Sequence, residues 1–181
     1  MNRHCNRPLT PESRENPSRR IVARGARPHN GYMFDWLFSD PLPVGTQAPD
    51  FTASDQTGAQ VVLSRLRGHN VVLIFYPGDD TAVCTRQLCE FRDRWDQAQK
   101  HNTLVFGVNP AGAQSHEKFR RKYTLPFPIL VDEGRRVAGL YRCSGLIVRR
   151  TVYLIGPDGS IRYGMRGKPQ VEDVLRAAVV K

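Results

Sequence analysis

From Pro41 onward the chain carries apolar runs separated by turn residues, and the period of each run predicts an element. Phe51-Thr52-Ala53-Ser54 and Val61-Val62-Leu63 flank the turn signal Gln56-Thr57-Gly58 and predict a short hairpin. Ser64 to Gly68 has a capping residue at each end of a single helical turn. Val71 to Tyr76 is an unbroken apolar run rich in β-formers, the pattern of a central strand covered on both faces. From Thr81 to about Lys100 the residues Cys84, Leu88, Phe91, Trp95 and Ala98 recur every three or four positions, which predicts one amphipathic helix. Leu104 to Val108 reads as the next strand, Ser115 to Tyr123 as the next helix, and Phe127 to Val131 as a third strand. Asp132 can cap a short helix that reaches Tyr141, Thr151–Ile155 and Ile161–Tyr163 flank Pro157-Asp158-Gly159 as a hairpin, and Val171 to Val180 closes with a helix. The order β-α-β-α-β-α-β-β-α puts parallel crossovers first and an antiparallel hairpin last. The fold class is α/β, with a central mixed β-sheet flanked by helices and an N-terminal β-hairpin.

Charge changes the picture at one end only. The 181 residues carry 27 Lys+Arg against 17 Asp+Glu, a formal net charge of +10. Residues 1–32 hold seven of the arginines and two glutamates, which is +5, so half the excess sits in less than a fifth of the chain. That stretch has few apolar residues, three prolines before residue 20 and no period of 2 or 3.6, so residues 1–40 are expected to be a disordered basic extension on a domain at 41–181. It reads as a passive tail, as an electrostatic contact for nucleic acid or anionic lipid, or as a by-product of translation that truly starts at Met33. Ile21-Val22-Ala23 is too short for the core of a secretory signal, and no window of eighteen apolar residues exists to span a membrane.

Chemistry enters with the cysteines. Cys5, Cys84, Cys89 and Cys143 are too few and too unevenly spread for a disulfide-stapled scaffold. In the stretch YPGDDTAVCTRQLC, Tyr76 to Cys89, Pro77 ends the buried strand and Thr81 can serve as N-cap, which puts Cys84 at the third helical position. Unpaired backbone N–H groups and the positive end of the helix dipole favour an anion there, and a thiolate is one. Because Cys84 also begins the apolar stripe, its sulfur should sit at the rim of the core, shielded yet reachable by something small. Cys89 follows five residues on. In an intact helix that is about 140° of rotation and roughly 7.5 Å of rise, so the Cα atoms stand about 8–9 Å apart. A disulfide wants about 4.4–6.8 Å, so the two cannot be joined while the helix stays formed. The residues alone leave two readings: a pair of small buried hydrophobes, or a thiol cycle coupled to local unwinding. A metal site is disfavoured, because no Cys-x-x-Cys accompanies the pair and His101 and His116 lie in different segments.

Pro77-x-x-x-Thr81-x-x-Cys84-Thr85 resembles the active-site signature of the peroxiredoxins, and a second cysteine five positions later is the pattern of their bacterioferritin comigratory protein (Q-type) branch. Gly45 to Phe51 is similar to the family's opening, Ser115-His116-Glu117-Lys118-Phe119 with Leu125-Pro126-Phe127 to its middle section, and Arg150 before Val152-Tyr153-Leu154-Ile155 matches its catalytic arginine. The resemblance implies a thioredoxin-like fold and a thiol-dependent peroxidase. Cys84 would be the peroxidatic nucleophile and Cys89 the resolving thiol. Arg150 and Thr81 would stabilise sulfur and substrate, and Pro77 would shield the sulfur from water. Hydrogen peroxide and alkyl hydroperoxides would be the substrates and a thioredoxin-like dithiol the reductant. No cofactor or metal is implied, and the expected setting is cytoplasmic, as a monomer or at most a weak dimer. Three departures stand out: Ala82-Val83 where the branch carries Pro-Gly, Gln87 where a residue is commonly acidic, and Asn109-Pro110 after the strand at 104–108. Cys143 reads as an inert thiol rather than an alternative resolver. The competing reading is a basic binding protein on the same scaffold, for which Lys118, Arg120, Arg121 and Lys122 would have to form a cationic face; nucleic acid is not the expected partner.

Overall fold

The computed structural model describes residues 40–179; the basic segment 1–39, with Met33 as a start, lies outside the described residues. Within them one seven-stranded sheet has the order β2-β1-β5-β4-β3-β6-β7. The strands are β1 (Thr52–Asp55), β2 (Gln60–Val62), β3 (Asn70–Phe75), β4 (Thr103–Asn109), β5 (Ile129–Val131), β6 (Thr151–Ile155) and β7 (Ile161–Arg166). β3, β4 and β5 run parallel, while β1 and β2 at one edge and β6 and β7 at the other pair antiparallel. Mixed pairing follows from connection length: α-helical crossovers join the parallel strands, and short turns join the outer hairpins.

Five helices are described: α1 (Ala82–Asp93), α2 (Trp95–Lys100), α3 (Ala113–Tyr123), α4 (Arg136–Leu140) and α5 (Val171–Val179). Every residue of β3 is buried, as its unbroken apolar run predicts, and its side chains alternate between two cores. Val72, Ile74 and Tyr76 join Cys84, Leu88 and Phe91 of α1 and Val174 and Leu175 of α5. Val71, Leu73 and Phe75 join Val137 and Ala138 of α4, Tyr141, Cys143 and Tyr153 on the opposite face.

Several boundaries differ from the expectation. The helix foreseen from Thr81 to Lys100 is two, broken at Arg94 (φ −107°, ψ 15°), whose N–H bonds Phe91 O at 3.3 Å, three residues back. The break turns Trp95 onto Phe127, with ring centroids 6.0 Å apart. The strand expected from Phe127 begins at Ile129, because Pro128 has no N–H to give to the ladder. The turn at Leu63–Leu66 is a 3-10 turn with no side-chain cap; the N–H of Ser64 donates to Asp50 Oδ1 at 2.9 Å instead. Asp132 does cap α4, accepting from Val137 N and Ala138 N at 2.8 Å each.

Candidate active site

The C-terminal end of β3 delivers the chain to the site. Tyr76 N still bonds Val108 O at 3.2 Å, and then Pro77 removes the next donor and the strand stops. The half-buried and exposed residues from Pro77 to Thr81 form a loop in which Asp80 adopts φ +57°, a left-handed backbone that is uncommon outside glycine. Thr81 is the extended N-cap of α1 (φ −85°, ψ 144°), so Cys84 is the third residue of the helix, as its sequence position implies. The Thr81 carbonyl accepts from Thr85 N at 2.8 Å, but its hydroxyl caps nothing and points to Gly78 O at 3.5 Å rather than to the sulfur.

Arg150 arrives from the neighbouring strand. Thr151 pairs with Phe75, so the residue before β6 stands beside the exit of β3. Arg150 Nη2 donates to Cys84 Sγ at 3.1 Å, and Nη1 donates to Gln87 Oε1 at 2.7 Å. Cys84 and Gln87 are three residues apart and share one helix face, so a single planar guanidinium bridges both. Both are buried, at 0% and 1% exposure. The sequence places the sulfur at a reachable rim; the structure buries it completely, in one core cluster with Ile74, Tyr76 and Leu88 and with Arg150 bonded to the sulfur itself.

Cys84 is a free thiol on an intact helix, and Cys89, 3% exposed in the same core, is not joined to it. Cys143 is also a free thiol. Cys143 sits in the core on the other face of the sheet, donating to Tyr141 O at 3.2 Å. Burial pushes its thiol up to about 11. A weak nucleophile on the wrong side of the sheet suits the inert reading.

Sequence reasoning missed the largest polar feature beside the site. The Asp79 carboxylate accepts four hydrogen bonds: from Tyr76 Oη (2.8 Å) and Asn109 Nδ2 (2.7 Å) on Oδ1, and from Ser115 Oγ (2.7 Å) and His116 Nδ1 (2.8 Å) on Oδ2. Burial alone would raise this carboxyl, but the hydrogen bonds from His116 and Ser115 prevail and hold it below its ordinary value. Burial and the facing Asp79 charge drive the Tyr76 phenol well above its own. The signals available were Asp79-Asp80 after a glycine and the Ser115-His116 pair, neither of which has a local period. Gln87 was visible only as a missing charge and proves to be the partner of Arg150. On α3, Arg121 pairs with Glu117 and Lys122 with Asp80, so these two cations of the basic run are engaged by neighbouring carboxylates. Among the described residues no group of three His, Cys, Asp or Glu converges to hold a metal ion, and no helix is long and apolar enough to cross a membrane.

Comparison with known proteins gives a consistent set of likenesses. The AhpC/TSA family model matches residues 44–164. Peroxiredoxin Q, chloroplastic, of Oryza sativa subsp. japonica is 40% identical over 126 residues, 66% of this chain and 57% of the rice protein. The chain thus spans little more than half the length of that relative. Peroxiredoxin Q, chloroplastic, of Sedum lineare is 37% identical over 140 residues, covering 73% of this chain and 75% of that one. Among solved structures, peroxidoxin BcpB from Mycobacterium tuberculosis superposes with a TM-score of 0.70 at 27% identity, over 75% of this chain and 95% of its own. The architecture is therefore the thioredoxin-like one, with the antiparallel hairpin β1–β2 added at the sheet edge.

Proposed function

The chain belongs to the AhpC/TSA family, and on that premise we propose that it is a thiol-dependent peroxidase acting on hydrogen peroxide and small organic hydroperoxides through Cys84. The observation that carries this reading is the guanidinium of Arg150 at 3.1 Å from a sulfur on the first turn of a helix. The thiolate attacks the terminal oxygen of the peroxide and the O–O bond breaks. The leaving alkoxide or hydroxide takes a proton, and Cys84 becomes a sulfenic acid. Charge moves from sulfur to the departing oxygen, and a fixed fork of donors serves both ends of that path better than a point charge does. Thr81 adds its hydroxyl once the loop shifts to admit substrate, and Pro77 keeps water from the sulfur.

Cys89 then resolves the sulfenic acid: its thiol sulfur bonds to Cys84, and water leaves. The helix separates the two Cα atoms by about 8–9 Å, so the first turns of α1 unwind in this step. A thioredoxin-like dithiol returns both cysteines to thiols, no cofactor enters, and the reducing cytoplasm is the setting that suits such a cycle. The test is single-turnover consumption of hydrogen peroxide by the fully reduced chain. Cys84→Ser should reduce the rate to background, and peptide mapping after one equivalent of peroxide should recover Cys84 linked to Cys89. Equal rates for the two proteins would discard the reading.

A further inference from the structure

Asp79 lies outside the chemistry just described, yet it is better satisfied than any side chain that takes part in it. Its four partners come from four places: the end of β3 (Tyr76), the end of β4 (Asn109), and the exposed and buried sides of the first turn of α3 (Ser115, His116). The orientation of Asn109 is fixed, since its Oδ1 accepts from Ala111 N at 2.7 Å and leaves Nδ2 for the carboxylate. The next residue extends the attachment: Asp80 pairs with Lys122 and accepts from Tyr123 Oη at the far end of α3. By contrast, the loop's own cap is missing, because the Thr81 hydroxyl bonds no N–H of α1. Val83, on the first turn, is half exposed. The side chains of the segment between β3 and Cys84 are therefore held from α3, β4 and the end of β3, and its tie to its own helix is the backbone bond from Thr85 N to Thr81 O.

We propose that Asp79 is the positioning residue of the site, anchoring the Pro77–Thr81 loop so that Cys84 stays against Arg150. The anchor sets how readily the first turn of α1 opens, and so how a Cys84 sulfenic acid is divided between two fates. In one, the Cys89 thiol attacks and water leaves, giving the disulfide. In the other, the folded site meets a second hydroperoxide, which transfers an oxygen to give the sulfinic acid and departs as an alcohol. This division rests on the peroxidase reading; the anchor itself does not.

Amide hydrogen exchange of the fully reduced, full-length chain tests the anchor without any turnover. In Asp79→Asn, the new amide would present N–H donors to Ser115 and His116, which already donate, and the amides of residues 80–86 should exchange about tenfold faster or more. Ser115→Ala removes one bond at an exposed position and should shift the same amides in the same direction by about threefold. Asp132→Asn replaces one of the two oxygens that accept from the first turn of α4, on the other face of the sheet, and should lower global stability while leaving the exchange of residues 80–86 as in the wild type. Under excess hydroperoxide, mass spectrometry should find several-fold less sulfinic acid relative to disulfide in Asp79→Asn and in Ser115→Ala. Unchanged protection of residues 80–86 in both variants overturns the proposal, as does equal loosening by Asp132→Asn. If Asp79→Asn does not fold, Ser115→Ala decides alone. Should the wild type consume no hydroperoxide, the peroxidase reading fails and the exchange data still judge the anchor.

Discussion

Arg150 makes two bonds with two different nitrogens, 3.1 Å to the Cys84 sulfur and 2.7 Å to the Gln87 amide oxygen. A neutral acceptor orients the guanidinium without taking a share of its charge, so the full cation faces the sulfur. Lysine has one nitrogen at the end of a flexible stem and cannot hold both contacts. Arg150→Lys should therefore lower the second-order rate with hydrogen peroxide by roughly a hundredfold, within the range seen on removing one preorganised donor. Gln87→Met, similar in volume but with no strong acceptor, should cost about tenfold through a misplaced guanidinium, and stopped-flow measurement of both checks the order. Cys143 makes the opposite case. With its thiol at about 11, roughly one molecule in a thousand carries a thiolate at pH 8, behind a closed core. Iodoacetamide should leave Cys143 unmodified in the native chain and label it only after unfolding, as peptide mass mapping would show.

Among the elements, α1 has to be stable enough to fix the sulfur and weak enough to let it go. Its first turn is Ala82-Val83-Cys84, and Val83 stands half exposed with little to pack on. Glycine there would give up about 0.5 kcal/mol of helix propensity relative to valine. Val83→Gly should speed Cys84–Cys89 disulfide formation two- to threefold after sulfenic acid has formed, followed by rapid alkylation and mass spectrometry. Gly107 in β4 plays a supporting part: a Cβ at this position would lie 3.2 Å from Tyr76 Cε1 and 3.3 Å from Ile129 Cγ1. The strands were legible in the sequence wherever one pattern decided them, as in the wholly apolar β3. The break at Arg94 was not, because Phe91 and Trp95 keep the helical spacing across it while the chain turns Trp95 toward Phe127. Cys84 and its place on the helix were legible because Pro77, Thr81 and the stripe are all local. The complete cover over its sulfur was not, since it depends on Arg150, far along the chain.

At the scale of the whole molecule, charge matters by where the fold gathers it. The sum of +10 invites an electrostatic partner, yet in the basic run on α3 Arg121 and Lys122 are paired with Glu117 and Asp80. The Asp79 cluster shows why such groupings escape a sequence reading: three of its four partners lie 30 to 37 residues ahead, brought in by the β4 and α3 crossover. Its ionisation leaves a thermodynamic mark. The carboxyl titrates near 3.8 in the unfolded chain and lower in the folded one, so the unfolded state binds its proton first as acid is added. The stability it contributes is fully present above the unfolded value and is lost as pH falls through the folded one. Asp50, Asp80, Asp158 and Glu172 are also held low and give the wild type an acid-labile profile of its own. Those groups remain in Asp79→Asn, so the difference between the two proteins isolates residue 79. In urea unfolding at a series of pH values, that difference should be level from about pH 7 to about pH 5 and should shrink below about pH 4. A difference that stays level to about pH 2.5 would mean that the hydrogen bonds from Ser115 and His116 do not depend on the charge of Asp79, and the anchor would then be a neutral one.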